Sequence, residues 1–147
     1  VATVFALPDL QRVGSYAYDG EGWGLTAAPN GFIMSDGSNV LQFRDRDFVL
    51  QRSEKITNCG IAVRRLNDLA YASGKIFANL WYRDDVVRIC AETGKVEAVL
   101  DCSELRAIAA PQHAEHVLNG ITYRPDRASL ILTGKCWRLF FEVALEP

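Results

Sequence analysis

No stretch of this 147-residue chain reaches the roughly 18 uncharged apolar residues that a membrane helix needs, because Arg, Asp or Glu interrupts every apolar run. A spanning helix is therefore excluded and no membrane partner is expected. Charge of one sign is missing too. The 16 Lys and Arg against 18 Asp and Glu leave a formal charge of -2, interspersed along the chain, so neither a basic stripe for nucleic acid nor an acidic tail is present. C-x-x-C spacing is absent: Cys59, Cys90, Cys102 and Cys136 are scattered, which argues against a zinc site and a thioredoxin-type pair. Two readings remain, lone buried thiols or a disulfide such as Cys90 with Cys102 in an exported protein.

Nucleotide loops are lacking as well. Gly20-Glu21-Gly22-Trp23-Gly24 does not fit G-x-G-x-x-G and opens no helix, and Ser129 stands where a phosphate loop ending at Lys135 would need glycine. Histidine is scarce: His113 and His116 flank Glu115 with no third ligand nearby, so no metal is expected and no Ser-His-Asp or Cys-His set can be assembled. Neither an initiator Met nor a signal-like segment is present, and Val1 opens in what already reads as a strand. The chain is expected to be cut, processed or incompletely represented at that end.

What the sequence does contain is a 49% apolar content, enough for a core in one domain, and a repeat. Gly22-Trp23-Gly24-Leu25-Thr26, Leu66-Asn67-Asp68-Leu69-Ala70 and Leu118-Asn119-Gly120-Ile121-Thr122 each open an apolar strand, at intervals of 44 and 52 positions between Trp23, Asn67 and Asn119. Turn chemistry follows each one: Pro29-Asn30-Gly31, Ser73-Gly74 and Pro125-Asp126. A second apolar strand comes next (32–35, 76–81 and 130–133), then a third (40–43, 86–89 and 138–143). The first two repeats add a fourth strand at 48–52 and 96–100. Four short antiparallel strands at this period predict an all-β fold of β-propeller blades. The predicted blades span 22–53, 66–101 and 118–145, with the outer strands of an earlier blade in 1–18. The longer second interval is a helix and loop inserted over 102–117, opened by Ser103 as a helix cap before Glu104-Leu105-Arg106.

The last repeat stops after three strands at Pro147, so about three blades are represented and sheet edges stay open. Closure is expected to need upstream sequence or a complementing chain. Trp23, Trp81 and Trp137 fall at strand ends, where core packing between blades competes with a shared pocket. Lys135 is either a solvated turn lysine or a fixed cation at a channel mouth. Asn67 and Asn119 open equivalent strands, where asparagine often bonds its own backbone. Asp36-Gly37-Ser38 reads as a hairpin turn.

Taken in order, Gly22-Trp23-Gly24-Leu25, Ser35-Asp36-Gly37-Ser38, Leu66-Asn67-Asp68-Leu69-Ala70-Tyr71, Ala78-Asn79-Leu80-Trp81, Val117-Leu118-Asn119-Gly120-Ile121 and Thr133-Gly134-Lys135-Cys136-Trp137, with Leu139-Phe140-Phe141-Glu142 behind it, form a set. That set resembles the plant and bacterial β-propeller type of glutaminyl cyclase, from about Tyr18 to Val143. The resemblance implies a five-bladed propeller and cofactor-free, metal-independent cyclisation of the N-terminal glutamine of a peptide or protein to pyroglutamate, with release of ammonia. It implies Lys135 and Asn67 as catalytic groups and Trp23 and Trp81 as substrate-binding walls. Glu21 and Asn119 are weaker candidates. Asp68 stands where the family carries glutamate. The family's catalytic glutamate belongs to a Gly-Glu-Gly of an earlier blade, upstream of Val1, and Glu21 lies in a look-alike one blade later. Family and cysteines together suggest a periplasmic or secreted protein. The alternatives are a non-catalytic propeller that binds a small ligand or peptide in its channel, and a structural piece that completes a ring with another chain.

Overall fold

Short apolar runs separated by Gly, Asn, Asp and Ser fold here into hairpin-linked antiparallel strands. The computed structural model describes residues 1–145; Glu146 and Pro147 lie outside the described residues. β1 (Ala2–Phe5) pairs with β2 (Arg12–Tyr16) in a two-stranded sheet. A four-stranded meander follows, β3 (Gly24–Ala28), β4 (Gly31–Ser35), β5 (Val40–Arg44) and β6 (Leu50–Lys55), hydrogen-bonded in that order. A small hairpin of β7 (Thr57–Asn58) and β8 (Ile61–Ala62) leads into a second meander, β9 (Leu66–Ala72), β10 (Lys75–Leu80), β11 (Asp85–Cys90) and β12 (Val96–Asp101). Helix α1 (Ser103–Ala109) precedes a three-stranded sheet, β13 (Leu118–Arg124), β14 (Ser129–Gly134) and β15 (Phe141–Ala144).

These sheets are propeller blades, set side by side through their innermost strands: β3 lies against β9, and β9 against β13. Two apolar layers fill the gaps. Ile33 and Leu41 meet Leu69, Ile76 and Ile89 in one; Phe77 and Val86 meet Leu118, Leu130 and Leu132 in the other. The middle blade is thus covered on both faces, which is why Ile76-Phe77-Ala78 reads as an unbroken apolar run.

Three local details differ from the sequence reading. The fourth strand of the first meander begins at Leu50 because Phe48 takes a left-handed φ of 65° and buries its ring. Asp45 Oδ1 closes that turn by accepting from the backbone N–H groups of Asp47 and Val49. The third strand of the last blade begins at Phe141, since 135–138 form a turn under Trp137, whose ring lies so close to Gly134 that a Cβ there would meet it at 2.2 Å. Helix α1 is not capped by Ser103: Cys102 occupies the N-cap without a side-chain bond, and Asp101 Oδ1 accepts from the Ser103 N–H at 2.9 Å.

All four cysteines are free thiols, so Cys90 and Cys102 form no disulfide. Cys102 is 3% exposed, and burial, reinforced by Asp101, Asp85 and Asp84, pushes its thiol up to about 11. Exposed Cys59 and Cys136 are expected to react with a disulfide reagent at pH 8 within minutes, and Cys102 only after unfolding; equal rates for all would overturn this. Between pH 9, where the unfolded thiol ionises, and about 11, the folded state holds the extra proton, so Cys102 makes stability fall as pH rises.

Candidate active site

Because the innermost strands run side by side in one direction, the starts of β3, β9 and β13 and the ends of β4, β10 and β14 share one end of the structure. Trp23, Asn67, Trp81, Asn119, Lys135 and Glu21 all belong to that end.

Trp23 precedes β3 and Trp81 follows β10; both are half-buried. Their rings meet edge to face at 5.1 Å and 82°, a favoured aromatic geometry. Backbone bonds hold both in place: Trp23 N donates to Ser35 O at 2.9 Å, and Trp81 N donates to Arg65 O at 2.9 Å. Below Trp23 lies Gly37, whose φ is +81° and whose missing side chain makes room for the indole; a Cβ there would meet three ring atoms at 2.7 Å. The Asp36-Gly37-Ser38 turn is therefore also a floor for the indole. Glu21 accepts a hydrogen bond from the Trp23 indole, Nε1 to Oε2 at 2.8 Å. Trp81 also packs against Tyr82 at 4.6 Å, and the Tyr82 hydroxyl donates to Glu115. That bond first, with desolvation and the negative charge of Glu115, raises the Tyr82 phenol above its ordinary range.

Asn67 is the second residue of β9 and is 6% exposed. Its backbone carbonyl accepts the Ser35 hydroxyl at 2.6 Å, but its carboxamide has no hydrogen-bond partner among the described residues. A nearly buried amide with both faces of its chemistry unspent can receive a ligand's polar group. Asn119, at the irregular start of β13 beside Gly120, is half-buried.

A residue that the sequence reading treated only as part of a motif, Asn79, proves central. It is 1% exposed, accepts from Asp68 N through Oδ1 at 2.9 Å and donates through Nδ2 to Leu118 O at 2.9 Å. Asp68 continues the lock, accepting from Ile121 N at 2.9 Å. Asn79 and Asp68 thereby tie β9 to β13. The only sequence signal was a polar residue inside an apolar run, Phe77-Ala78-Asn79-Leu80.

Lys135 sits in the turn after β14, exposed, with its backbone N–H donating to Val117 O at 2.9 Å and its ammonium in no ion pair among the described residues. Trp137 stands apart from the other two tryptophans: its indole donates to His116 O at 2.8 Å and its ring meets Phe141 edge to face. His113 and His116 contact each other at 4.9 Å in the 110–117 loop. A cavity of about 840 Å³ opens at the opposite end between the Pro29-Asn30-Gly31 and Ser73-Gly74 turns, and none of the six candidate residues lines it.

The family model for glutamine cyclotransferase matches residues 1–145. Glutaminyl-peptide cyclotransferase of Arabidopsis thaliana is 31% identical over 129 residues, which cover 86% of this chain and 40% of that protein. The crystal structure of Myxococcus xanthus glutaminyl cyclase superposes with a TM-score of 0.87 at 39% identity, covering 92% of this chain and 60% of that one. Kuenenia stuttgartiensis hydrazine synthase, at 14% identity and a TM-score of 0.52 over 76% of this chain and 28% of its own, shares the fold alone. The chain thus spans less than two thirds of the relatives it matches.

Proposed function

We propose that this chain, which belongs to the glutamine cyclotransferase family, forms the pocket in which the N-terminal glutamine of a peptide or protein closes on itself to pyroglutamate. One observation supports the reading: a perpendicular Trp23–Trp81 pair stands at the strand ends that also carry nearly buried Asn67, whose carboxamide has no hydrogen-bond partner among the described residues.

In the reaction the neutral α-amine attacks the side-chain amide carbon, forming a C–N bond and placing negative charge on the amide oxygen. Collapse of that tetrahedral species breaks the original C–N bond, and the leaving nitrogen departs as ammonia with the proton the α-amine gives up. In this reading the tryptophans shield the bound glutamine from water, which strengthens every charge interaction around it. Asn67 Nδ2 can donate to the developing oxyanion, and the unpaired Lys135 ammonium at the same strand ends supplies positive charge. In this reading further blades, from a longer chain or from a complementing one, complete the ring. The partial coverage of both relatives supports that.

The test is to incubate the full-length protein with a synthetic glutaminyl peptide and follow ammonia release alongside mass loss. Pyroglutamyl product is expected. Binding of the peptide without product would replace the enzyme reading with that of a peptide-binding propeller.

A further inference from the structure

Five side chains form a continuous series of contacts at this end: Glu21, Trp23, Trp81, Tyr82 and Glu115. The aromatic three are in ring contact, at 5.1 Å and 4.6 Å, and each terminal ring gives its only polar hydrogen to a carboxylate. Apolar contact orients an indole less sharply than a directional bond does, because the hydrophobic effect is non-directional. A hydrogen bond from a ring N–H or O–H fixes one rotation, and a charged acceptor makes it stronger. The two acceptors come from different parts of the chain. Glu21 lies just before β3, whereas Glu115 belongs to the loop between α1 and β13.

We propose that Glu21 and Glu115 are positioning residues that clamp the aromatic wall from its two ends, so that the inserted 102–117 segment helps set the shape of the pocket. This rests on the cyclase reading for its effect on turnover, but not for the clamp itself. Glu21 spends one oxygen on the indole and acts through Trp23. Glu115 acts through Tyr82, whose ring packs on Trp81. The Glu115 hydrogen bond is also the main cause of the raised Tyr82 phenol, so the titration of Tyr82 reports on that contact.

Two perpendicular indoles at this separation couple their electronic transitions, so the orientation of the pair is readable by circular dichroism without any turnover. In the full-length protein, Glu21→Ala is expected to diminish that coupled band, and Glu21→Gln, whose amide oxygen still accepts the indole N–H, to restore it. Trp81→Phe, which removes the coupling, identifies the band, and Glu21→Ala added to Trp81→Phe should change nothing further. Glu115→Ala is expected to bring the Tyr82 phenol back toward its ordinary titration range, read by ultraviolet absorbance. On a glutaminyl peptide, Glu21→Ala should lose about tenfold in kcat/KM, with Glu21→Gln within about threefold of wild type.

An unchanged band in Glu21→Ala overturns the clamp at Trp23. Activity lost equally in Glu21→Gln and Glu21→Ala with the band intact makes Glu21 a proton carrier and overturns the positioning role. A Tyr82 titration indifferent to Glu115→Ala overturns the other end. If the wild-type protein forms no pyroglutamate while the band and the titration respond as expected, the clamp stands and the cyclase reading fails.

Discussion

Replacing Lys135 with alanine in the full-length protein is expected to lower turnover on a glutaminyl peptide by about 10²- to 10³-fold, the scale set by removing one oxyanion-stabilising group. The melting temperature should move by no more than about 2 °C, because an exposed side chain away from the core typically contributes under about 0.5 kcal/mol. The separation of the two effects follows from how the residue is held. The backbone of Lys135 is fixed by its bond to Val117 O, and the turn around it by Trp137 over Gly134 and by the Trp137 indole on His116 O. None of those contacts uses the ammonium. Truncation therefore removes charge without moving the strand end. Lys135→Arg is expected to recover part of the loss, since the charge returns on a planar, differently reaching group. Turnover within twofold of wild type in Lys135→Ala would take the residue out of the site, whatever its place in the fold.

The blades were legible in the sequence because each is built from local signals. Strand, turn and strand follow one another at Leu66–Ala72, Ser73-Gly74 and Lys75–Leu80, and the turn residues take φ values of 48° and 81°, as a two-residue hairpin loop demands. The β7–β8 hairpin carried the same kind of signal in Asn58-Cys59-Gly60, with φ values of 49° and 82° at Cys59 and Gly60, but strands of two residues offer no periodicity to catch the eye. Phe48 was misread for the opposite reason. An aromatic residue suggests a strand, and only the packing of its ring against Tyr16, Tyr18 and Phe32 makes a left-handed backbone tolerable there. Contacts between blades were invisible in principle. Nothing local distinguishes Asn79, which locks two blades, from Asn119, which makes no such side-chain bonds among the described residues; the difference lies in which backbone groups of another sheet come within reach. The same holds for Glu21. Its Gly-Glu-Gly setting drew attention, yet spacing alone does not tell whether the carboxylate turns to the indole two residues on or to solvent, since glycine on either side leaves the local backbone open to many conformations.

Adding a single methyl group at Gly24 is expected to damage this fold more than removing any one polar side chain from the mouth. Gly24 opens β3, where the first blade lies against the second, and its φ is not the reason for glycine. A Cβ there would stand 2.0 Å from Asn67 O, 2.8 Å from Asp68 Cα and 2.9 Å from Asn67 C. All three are backbone atoms of β9, so no rotamer change relieves the clash and the two strands must separate. Separation breaks the 2.6 Å bond from Ser35 Oγ to Asn67 O, leaving a hydroxyl that is 1% exposed without its acceptor. Overpacking of a well-filled interior costs about 1–3 kcal/mol where side chains can adjust, so a backbone clash should cost Gly24→Ala about 3 kcal/mol or more. For a protein of this size or larger, that corresponds to a melting temperature lower by roughly 6–12 °C. Ser35→Ala, which removes the hydrogen bond but leaves the strands their spacing, should cost only about 1 kcal/mol. The two variants together separate strand approach from hydrogen bonding as the force that joins the blades. Because Gly24 is flanked by Trp23 and presses on Asn67, Gly24→Ala should also lose turnover at temperatures where it remains folded. A Gly24→Ala protein within 0.5 kcal/mol of wild type in denaturant unfolding, about the scatter of surface substitutions, would mean that β3 and β9 do not approach as described.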